Sequence, residues 1–324
     1  MKVVRTTVLY THGGGRFGNQ LLRFFHWLAW VAEEPEKRRI VNMAFWPYAH
    51  LFHPWAESPG CVYPHASARW DYLAHVRRVV PTRFRNGFDW RIPRWTAALA
   101  RLLNAHFCTT RTLNDHERLD LESLGAAPSS VEGTMYVCSG WQYTCWQLVE
   151  SSAATLRGLF IPVEPYASRA RSFVSSARGQ ADVLVGLLIR RTDYREWNQG
   201  RYFFPMPSYA AWLGQIPELF PGKNVSVIIA CDEWLSLHGL GDGHIHLATG
   251  SVNRGGHWFE SFLELAACDW IVAPPSTFAA CAAFIGDAQL LPLRDRNQQL
   301  DLRDGLRPAL LEGARDPDVS QAVR

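Results

Sequence analysis

The sequence predicts an α/β protein made of two halves, each with a parallel sheet covered by helices. Strand-length apolar segments alternate with amphipathic helical segments, which is typical of parallel sheets covered on both faces. A polar stretch with two prolines at 160–180 separates the halves and indicates a domain boundary. The length of 324 residues is sufficient for two domains of ordinary size.

The elements of the first half follow from these patterns. They are a strand at 3–10, a glycine loop at 11–18, a helix at 19–33, a strand at 38–46, a helix at 95–107 inside an irregular region, a strand at 134–141 and a helix at 151–160. The irregular region, 47–130, is rich in Trp and Arg. Part of it, 69–95, is either an acceptor groove or, as we favour, a solvated surface.

The second half has a more regular alternation of strands and helices. Its strands are expected at 182–190, 225–231, 244–248, 270–274 and 288–293, and its helices at 208–216, 233–239, 257–268 and 277–285. We therefore expect three parts: an acceptor-side domain at 1–165, a nucleotide-sugar-binding domain at 166–300 and a polar tail at 301–324.

Composition argues against several classes of protein. The formal net charge of +3 is too small to indicate a nucleic-acid partner. The seven cysteines form no C-x-x-C pair, which disfavours both a zinc site and a disulfide framework. Neither a signal peptide nor a membrane span is recognisable. We expect a cytoplasmic protein, with peripheral contact at the inner face of the membrane left open.

The glycine loop, in the segment LYTHGGGRFGNQLLRFF, matches the dinucleotide fingerprint G-x-G-x-x-G at Gly13, Gly15 and Gly18. A dinucleotide fold also needs an Asp or Glu at the end of the second strand. That strand ends at Trp46, and no carboxylate follows it. The Gly-Lys-Ser/Thr of a P-loop is missing too. A nicotinamide enzyme is therefore an alternative and not our main hypothesis.

Several donors of hydrogen bonds still converge where this loop meets the helix. Backbone N–H groups at a helix start attract phosphate, and Gly18 lets a ligand approach closely. Arg16 adds a fork-shaped cation, and Asn19 and Gln20 add side-chain donors. We expect an anion to bind here. The alternative is that Asn19 only caps the helix.

A second candidate site lies at the carboxyl end of the first strand of the second half. Arg190 and Arg191 end that strand, where α/β sheets bind ligands. Successive strand residues face opposite sides, so only one of the two arginines can easily face the ligand. Asp193 can orient that guanidinium. The alternative is a purely structural ion pair.

Two further strand ends carry polar groups. After the strand at 270–274, Ser276 and Thr277 open a helix and make a second anion site or an ordinary N-cap. After the strand at 225–231, Asp232 can accept hydrogen bonds from a guanine edge or can belong to a turn.

Taken together, these segments resemble the fucosyltransferase superfamily, and in particular the α-1,2-fucosyltransferases of glycosyltransferase family 11. GGRFGNQLLRF is similar to the G-x-G-N-Q opening, in the form found in protein O-fucosyltransferases. LIRRTDY resembles the H-x-R-x-x-D motif, and IIACDEW and APPSTFAACAAF resemble later motifs in the same order. The chain departs from the pattern at Leu188, which replaces the motif histidine, and at Thr192 and Pro275.

The resemblance implies a fold of the GT-B type, with two Rossmann-like domains facing across a cleft. It implies an inverting, metal-independent transfer of fucose from GDP-fucose to a glycan hydroxyl, with an α-1,2 linkage and a role in cell-surface polysaccharide assembly. No cofactor is expected beside this donor. The catalytic residues would be Arg190, on the β-phosphate, and Asp193. The donor-binding residues would be Arg16, Gly18, Asn19, Asp232, Ser276, Thr277 and Phe278.

Other questions stay open at the level of sequence. Asp193, His12 and Glu260 are candidates for the general base by position alone. His244 and His246 share a strand face, but the sequence shows no third zinc ligand. The rival functions are a transferase of the same fold for another nucleotide sugar, which Leu188 permits, and a non-catalytic module that binds GDP or a glycan.

Overall fold

The computed structural model describes residues 6–12, 15–42, 44–53, 61–62, 108–112, 119–121, 135–140, 143–234, 244–252 and 254–307. The chain divides into two compact units, Met1–Ile161 and Pro162–Arg324. The expected helix at 95–107, the region 69–95, Gly13, and most of the expected helix at 233–239 lie outside the described residues.

The first unit contains a parallel five-stranded sheet with the strand order β3-β2-β1-β6-β4. Its strands are β1 Thr6–His12, β2 Arg38–Asn42, β3 Cys61–Val62, β4 Cys108–Thr112 and β6 Met135–Ser139. The short strands β5 Leu119–Asp120 and β7 Tyr143–Thr144 pair separately. The helices are α1 Phe17–Glu33, α2 Trp46–Ala49, α3 Trp146–Ser151 and α4 Ala153–Leu159.

Helix α1 is buried on almost every side, whereas the sequence predicted a single apolar stripe. The polar residues Arg23 and His26 are buried together with the apolar ones, while Ala32, which belonged to the expected stripe, is exposed. Nδ1 of His26 accepts a hydrogen bond of 3.0 Å from the backbone N–H of Cys145. Burial, reinforced by the charge of Arg23, holds the pKa of His26 well below its usual value.

The second unit contains another parallel five-stranded sheet, with the order β10-β9-β8-β11-β12. Its strands are β8 Val183–Ile189, β9 Val225–Cys231, β10 Ile245–Leu247, β11 Trp270–Ala273 and β12 Gln289–Pro292. Its helices are α5 Tyr166–Arg178, α6 Met206–Gln215, α7 Trp258–Ala266 and α8 Thr277–Gly286. These parallel sheets confirm the predicted α/β class.

Helices cover both faces of this second sheet. Val185, Leu187 and Ile189 of β8 pack in a core cluster with Trp212 of α6. On the opposite face, a side chain at Gly186 would place its Cβ 2.6 Å from Leu265 of α7. Because β8 is buried on both faces, its sequence VLVGLLI is uniformly apolar and does not alternate.

The stretch at 160–180 is more ordered than its composition predicted. Most of it forms helix α5, which the sequence reasoning missed. The helix buries only small residues, Ala167, Ala170 and Ala177, and therefore lacks a strong apolar stripe. Within the described part of the chain, no helix combines the length and apolar character needed to span a membrane.

Candidate functional site

The strand order of the second unit defines a topological switch point. Strand β8 is the first in the chain and lies between β9 and β11, so the connections run outward on either side of the β8–β11 pair. Open α/β sheets bind ligands at such a point, outside the carboxyl ends of the strands. Arg190 directly follows β8, and Ser276 lies just beyond the end of β11. The two candidate anion-binding elements thus flank the switch point.

Two carboxylates hold Arg190 in place. Its Nη2 donates to both carboxylate oxygens of Asp193, at 2.6 and 2.8 Å. Its Nε lies 3.2 Å from Oδ2 of Asp232. The side chain of Arg190 is 17% exposed, so the guanidinium is largely shielded but still reached by solvent. The predicted contact between Asp193 and Arg190 is confirmed.

Arg191 points elsewhere, as the alternation of strand residues predicts. Its Nη1 donates to the backbone carbonyl of Phe204 at 3.0 Å, and its Nε lies 2.5 Å from a carboxylate oxygen of Glu233. Its guanidinium also stacks over the ring of Phe203 at 4.6 Å. Arg191 is therefore a structural cation within the second unit.

Asp232 fixes the chain that leaves β8. Its Oδ1 accepts a hydrogen bond of 2.9 Å from the backbone N–H of Arg191, and its Oδ2 accepts one of 2.8 Å from the hydroxyl of Thr192. With the ion pair to Arg190, these contacts orient the strand end. The sequence offers two alternative roles for Asp232, a contact with guanine or a place in a turn. The structure shows Asp232 accepting hydrogen bonds from the loop that follows β8.

Tyr194 touches both flanks of the switch point, and no role was predicted for it. The guanidinium carbon of Arg190 lies 5.2 Å from the centre of the Tyr194 ring. The hydroxyl of Tyr194 donates to the carbonyl of Pro275 at 2.5 Å. Burial raises the pKa of Tyr194 to about 12, so its hydroxyl remains protonated at neutral pH.

Helix α8 begins at the other flank. Ser276 occupies the N-cap in an extended conformation, and its side chain makes no capping hydrogen bond. Ser276, Thr277 and Phe278 are all half-buried. The ring of Phe278 packs 5.2 Å from that of Phe262 on α7. Because α8 begins just beyond the end of β11, the positive end of its dipole lies at the switch point.

The first unit has an equivalent arrangement at its own switch point, between β1 and β6. Gly15 has a φ of +67°, and a Cβ there would lie 2.1 Å from Nδ2 of Asn19, so the loop needs glycine at this position. Arg16 is exposed, Asn19 is half-buried and Gly18 is buried. The N-cap of α1 is Arg16, so the alternative in which Asn19 caps the helix is wrong.

The structure provides no support for the other candidates for acid–base or metal chemistry among the described residues. Glu260 is 1% exposed, pairs with Arg169 at 3.1 Å and closes a capping box with His257, which makes it a structural residue of α7. The side chain of His12 lies outside the described residues. In the described ranges, no group of three or more His, Cys, Asp or Glu side chains could hold a metal ion.

Comparison with known proteins gives a likeness of fold. No protein-family model matches the chain, and no curated protein matches it. A mutant of FUT1 from Arabidopsis thaliana, solved in complex with GDP, is 11% identical, with a TM-score of 0.53 over 92% of this chain and 73% of that chain.

Two other structures align over nearly their whole length. The α-1,6-fucosyltransferase NodZ soaked with GDP-fucose is 13% identical, with a TM-score of 0.51 over 90% of this chain and 95% of that one. A fucosyltransferase NodZ from Bradyrhizobium is 12% identical, with a TM-score of 0.53 over 91% and 97%. At these identities the similarity shows that the chain shares the fold of these proteins.

Proposed function

We propose that this chain is a glycosyltransferase of the GT-B type that transfers fucose from GDP-fucose to a hydroxyl of a glycan. One observation carries the proposal: a shielded arginine, Arg190, and the N-terminus of α8 flank the same topological switch point. Both are suited to bind a diphosphate. The solved structures of similar fold include one with GDP and one soaked with GDP-fucose.

The reaction proceeds by displacement at the anomeric carbon. The acceptor oxygen forms a bond to that carbon while the bond between the carbon and the β-phosphate oxygen breaks, which inverts the configuration. GDP departs with the bonding electrons, and the proton of the acceptor hydroxyl passes to water or to the departing diphosphate. Negative charge then grows on the diphosphate, and preorganised donors stabilise it. Arg190 binds the β-phosphate, while Ser276, Thr277 and the N–H of Phe278 hold the phosphates. Asp193 keeps the guanidinium oriented.

The remaining assignments rest on the sequence motifs. Arg16, Gly18 and Asn19 of the first unit are proposed as further contacts of the donor, and Asp232 as a contact of guanine beside its role in the β8 loop. The acceptor is proposed to be a cell-surface polysaccharide precursor that receives fucose in α-1,2 linkage. With this set of donors, no metal ion is needed to neutralise the leaving group.

A second donor class is favoured by Leu188. This residue stands where the resembling family has a histidine, and it is 3% exposed within β8. An aliphatic side chain cannot donate a hydrogen bond to the donor, so another GDP-sugar is the alternative. The two donor substrates to compare are therefore GDP-fucose and a GDP-sugar with a different hexose, such as GDP-mannose.

A donor panel in the presence of EDTA tests the function. We expect release of GDP and transfer of sugar from GDP-fucose, at a rate unchanged by the chelator, and no transfer from UDP-sugars. GDP at about 100 times its dissociation constant should stabilise the fold by about 2.7 kcal/mol, whereas UDP and NADH should not. Binding of GDP without turnover of any GDP-sugar would instead support the non-catalytic alternative.

A further inference from the structure

We propose that Tyr194 is a positioning residue that sets the guanidinium of Arg190 relative to the N-terminus of α8, so that both act on one diphosphate. This inference rests on the proposed function. Tyr194 is assigned no contact with the substrate. It acts through Arg190 on one side and through the Pro275–Ser276 turn on the other.

The position of Tyr194 suits this role. It lies in the 3-10 turn Asp193–Arg195 directly after β8, and it is 6% exposed. Its ring supports Arg190, at 5.2 Å, and packs against Trp197 at 4.6 Å between ring centres. Its hydroxyl crosses to the segment after β11 and bonds the carbonyl of Pro275. A single rigid side chain therefore joins the two flanks of the switch point.

The segment after β11 begins with two buried prolines. Pro274 and Pro275 lack backbone N–H groups, so neither can donate a hydrogen bond to the body of the sheet. The carbonyl of Pro275 is a remaining polar group of this turn, and Tyr194 binds it. The hydroxyl of Tyr194 also interacts with the side chain of Ser276, which makes no capping bond to α8. Loss of the hydroxyl would release both contacts.

Tyr194→Phe tests the inference because it keeps the ring and removes only the hydroxyl. We expect kcat for transfer from GDP-fucose to fall by roughly ten- to a hundredfold, because small misplacements of charged groups in a site are costly. The KM for the donor should change less than about threefold, since the lost contact matters most as charge develops on the diphosphate. Tyr202→Phe, which removes another buried hydroxyl beside Trp197, is the matched control and should leave kcat nearly unchanged.

A double-mutant cycle separates positioning from simple packing. In an Arg190→Lys background the guanidinium is already gone, so Tyr194→Phe should cost much less than in the wild type. An equal fold-loss in both backgrounds would overturn the inference, as would a rate for Tyr194→Phe within threefold of the wild type. Circular dichroism and thermal unfolding verify that each variant is folded at the assay temperature.

The same experiment distinguishes failure of the proposed function from failure of the role assigned to Tyr194. A wild type that transfers no sugar from GDP-fucose overturns the proposed function and this inference with it. A wild type that transfers fucose, but shows an additive cycle, overturns only the role of Tyr194.

Discussion

Replacement of Arg190 with alanine is expected to lower kcat for fucose transfer by at least a few hundredfold. Loss of one preorganised donor to a developing anion costs about 3–4 kcal/mol of barrier. Arg190 is suited to this work because Asp193 and Asp232 fix it while 17% of its side chain remains exposed. Steady-state kinetics with GDP-fucose and an acceptor measures the loss.

The neighbouring arginine supplies the control. Arg191→Lys makes the same substitution one residue away, at a side chain that contacts Glu233 and the carbonyl of Phe204. We expect this variant to retain a kcat close to that of the wild type, whereas Arg190→Lys, which keeps the charge but loses the fork, should be strongly impaired. A rate for Arg190→Ala within tenfold of the wild type would remove Arg190 from the site.

Stability of the fold is expected to fall as the pH rises from about 4.5 to about 7, because of Glu264 on α7. This carboxyl is fully buried and accepts a hydrogen bond of 3.0 Å from the backbone N–H of Thr249, whose hydroxyl bonds its other oxygen. Burial raises its pKa to about 7, although the two hydrogen bonds from Thr249 oppose this shift.

The sign of the effect follows from proton binding. Between about pH 4.5 and 7 the folded state holds a proton on Glu264 that the unfolded chain has released, so raising the pH favours unfolding. Below about pH 4.5 the raised pKa of Glu264 gives its full stabilisation of the folded state, about 3 kcal/mol. This stabilisation is lost as the pH rises to the folded-state pKa of about 7. Above that pKa the loss is complete and constant.

Glu264→Gln isolates this contribution from the other groups that titrate. The amide can keep both contacts with Thr249, because its oxygen accepts from the backbone N–H and its nitrogen donates to the hydroxyl. The free energies of unfolding of wild type and variant should diverge between about pH 4.5 and 7, with the variant relatively more stable at the higher pH. A difference that stays constant over this range would show that Glu264 does not titrate there.

The sequence predicted the second unit better than the first because its strands are buried on both faces. Uniformly apolar runs such as β8 and β9, bounded by polar residues, leave little ambiguity. The same pattern placed Arg190, Asp232 and Ser276 at carboxyl strand ends, and the structure does bring Arg190 and Asp232 together.

What the sequence could not show depends on long-range contacts or on weak patterns. The hydroxyl of Tyr194 meets the carbonyl of Pro275 across 81 positions, and no periodicity encodes such a pair. Helix α5 was missed because it buries only alanines. The contacts that Asp232 accepts from the β8 loop were missed because a strand-end carboxylate has several possible partners.

A crystal structure with GDP, grown in the presence of EDTA, tests the central claim most directly. We expect the β-phosphate within hydrogen-bonding distance of the Arg190 guanidinium and of the backbone N–H groups of Thr277 or Phe278, without a metal ion. GDP bound elsewhere on the chain, with Arg190 still engaged only by Asp193 and Asp232, would contradict the account.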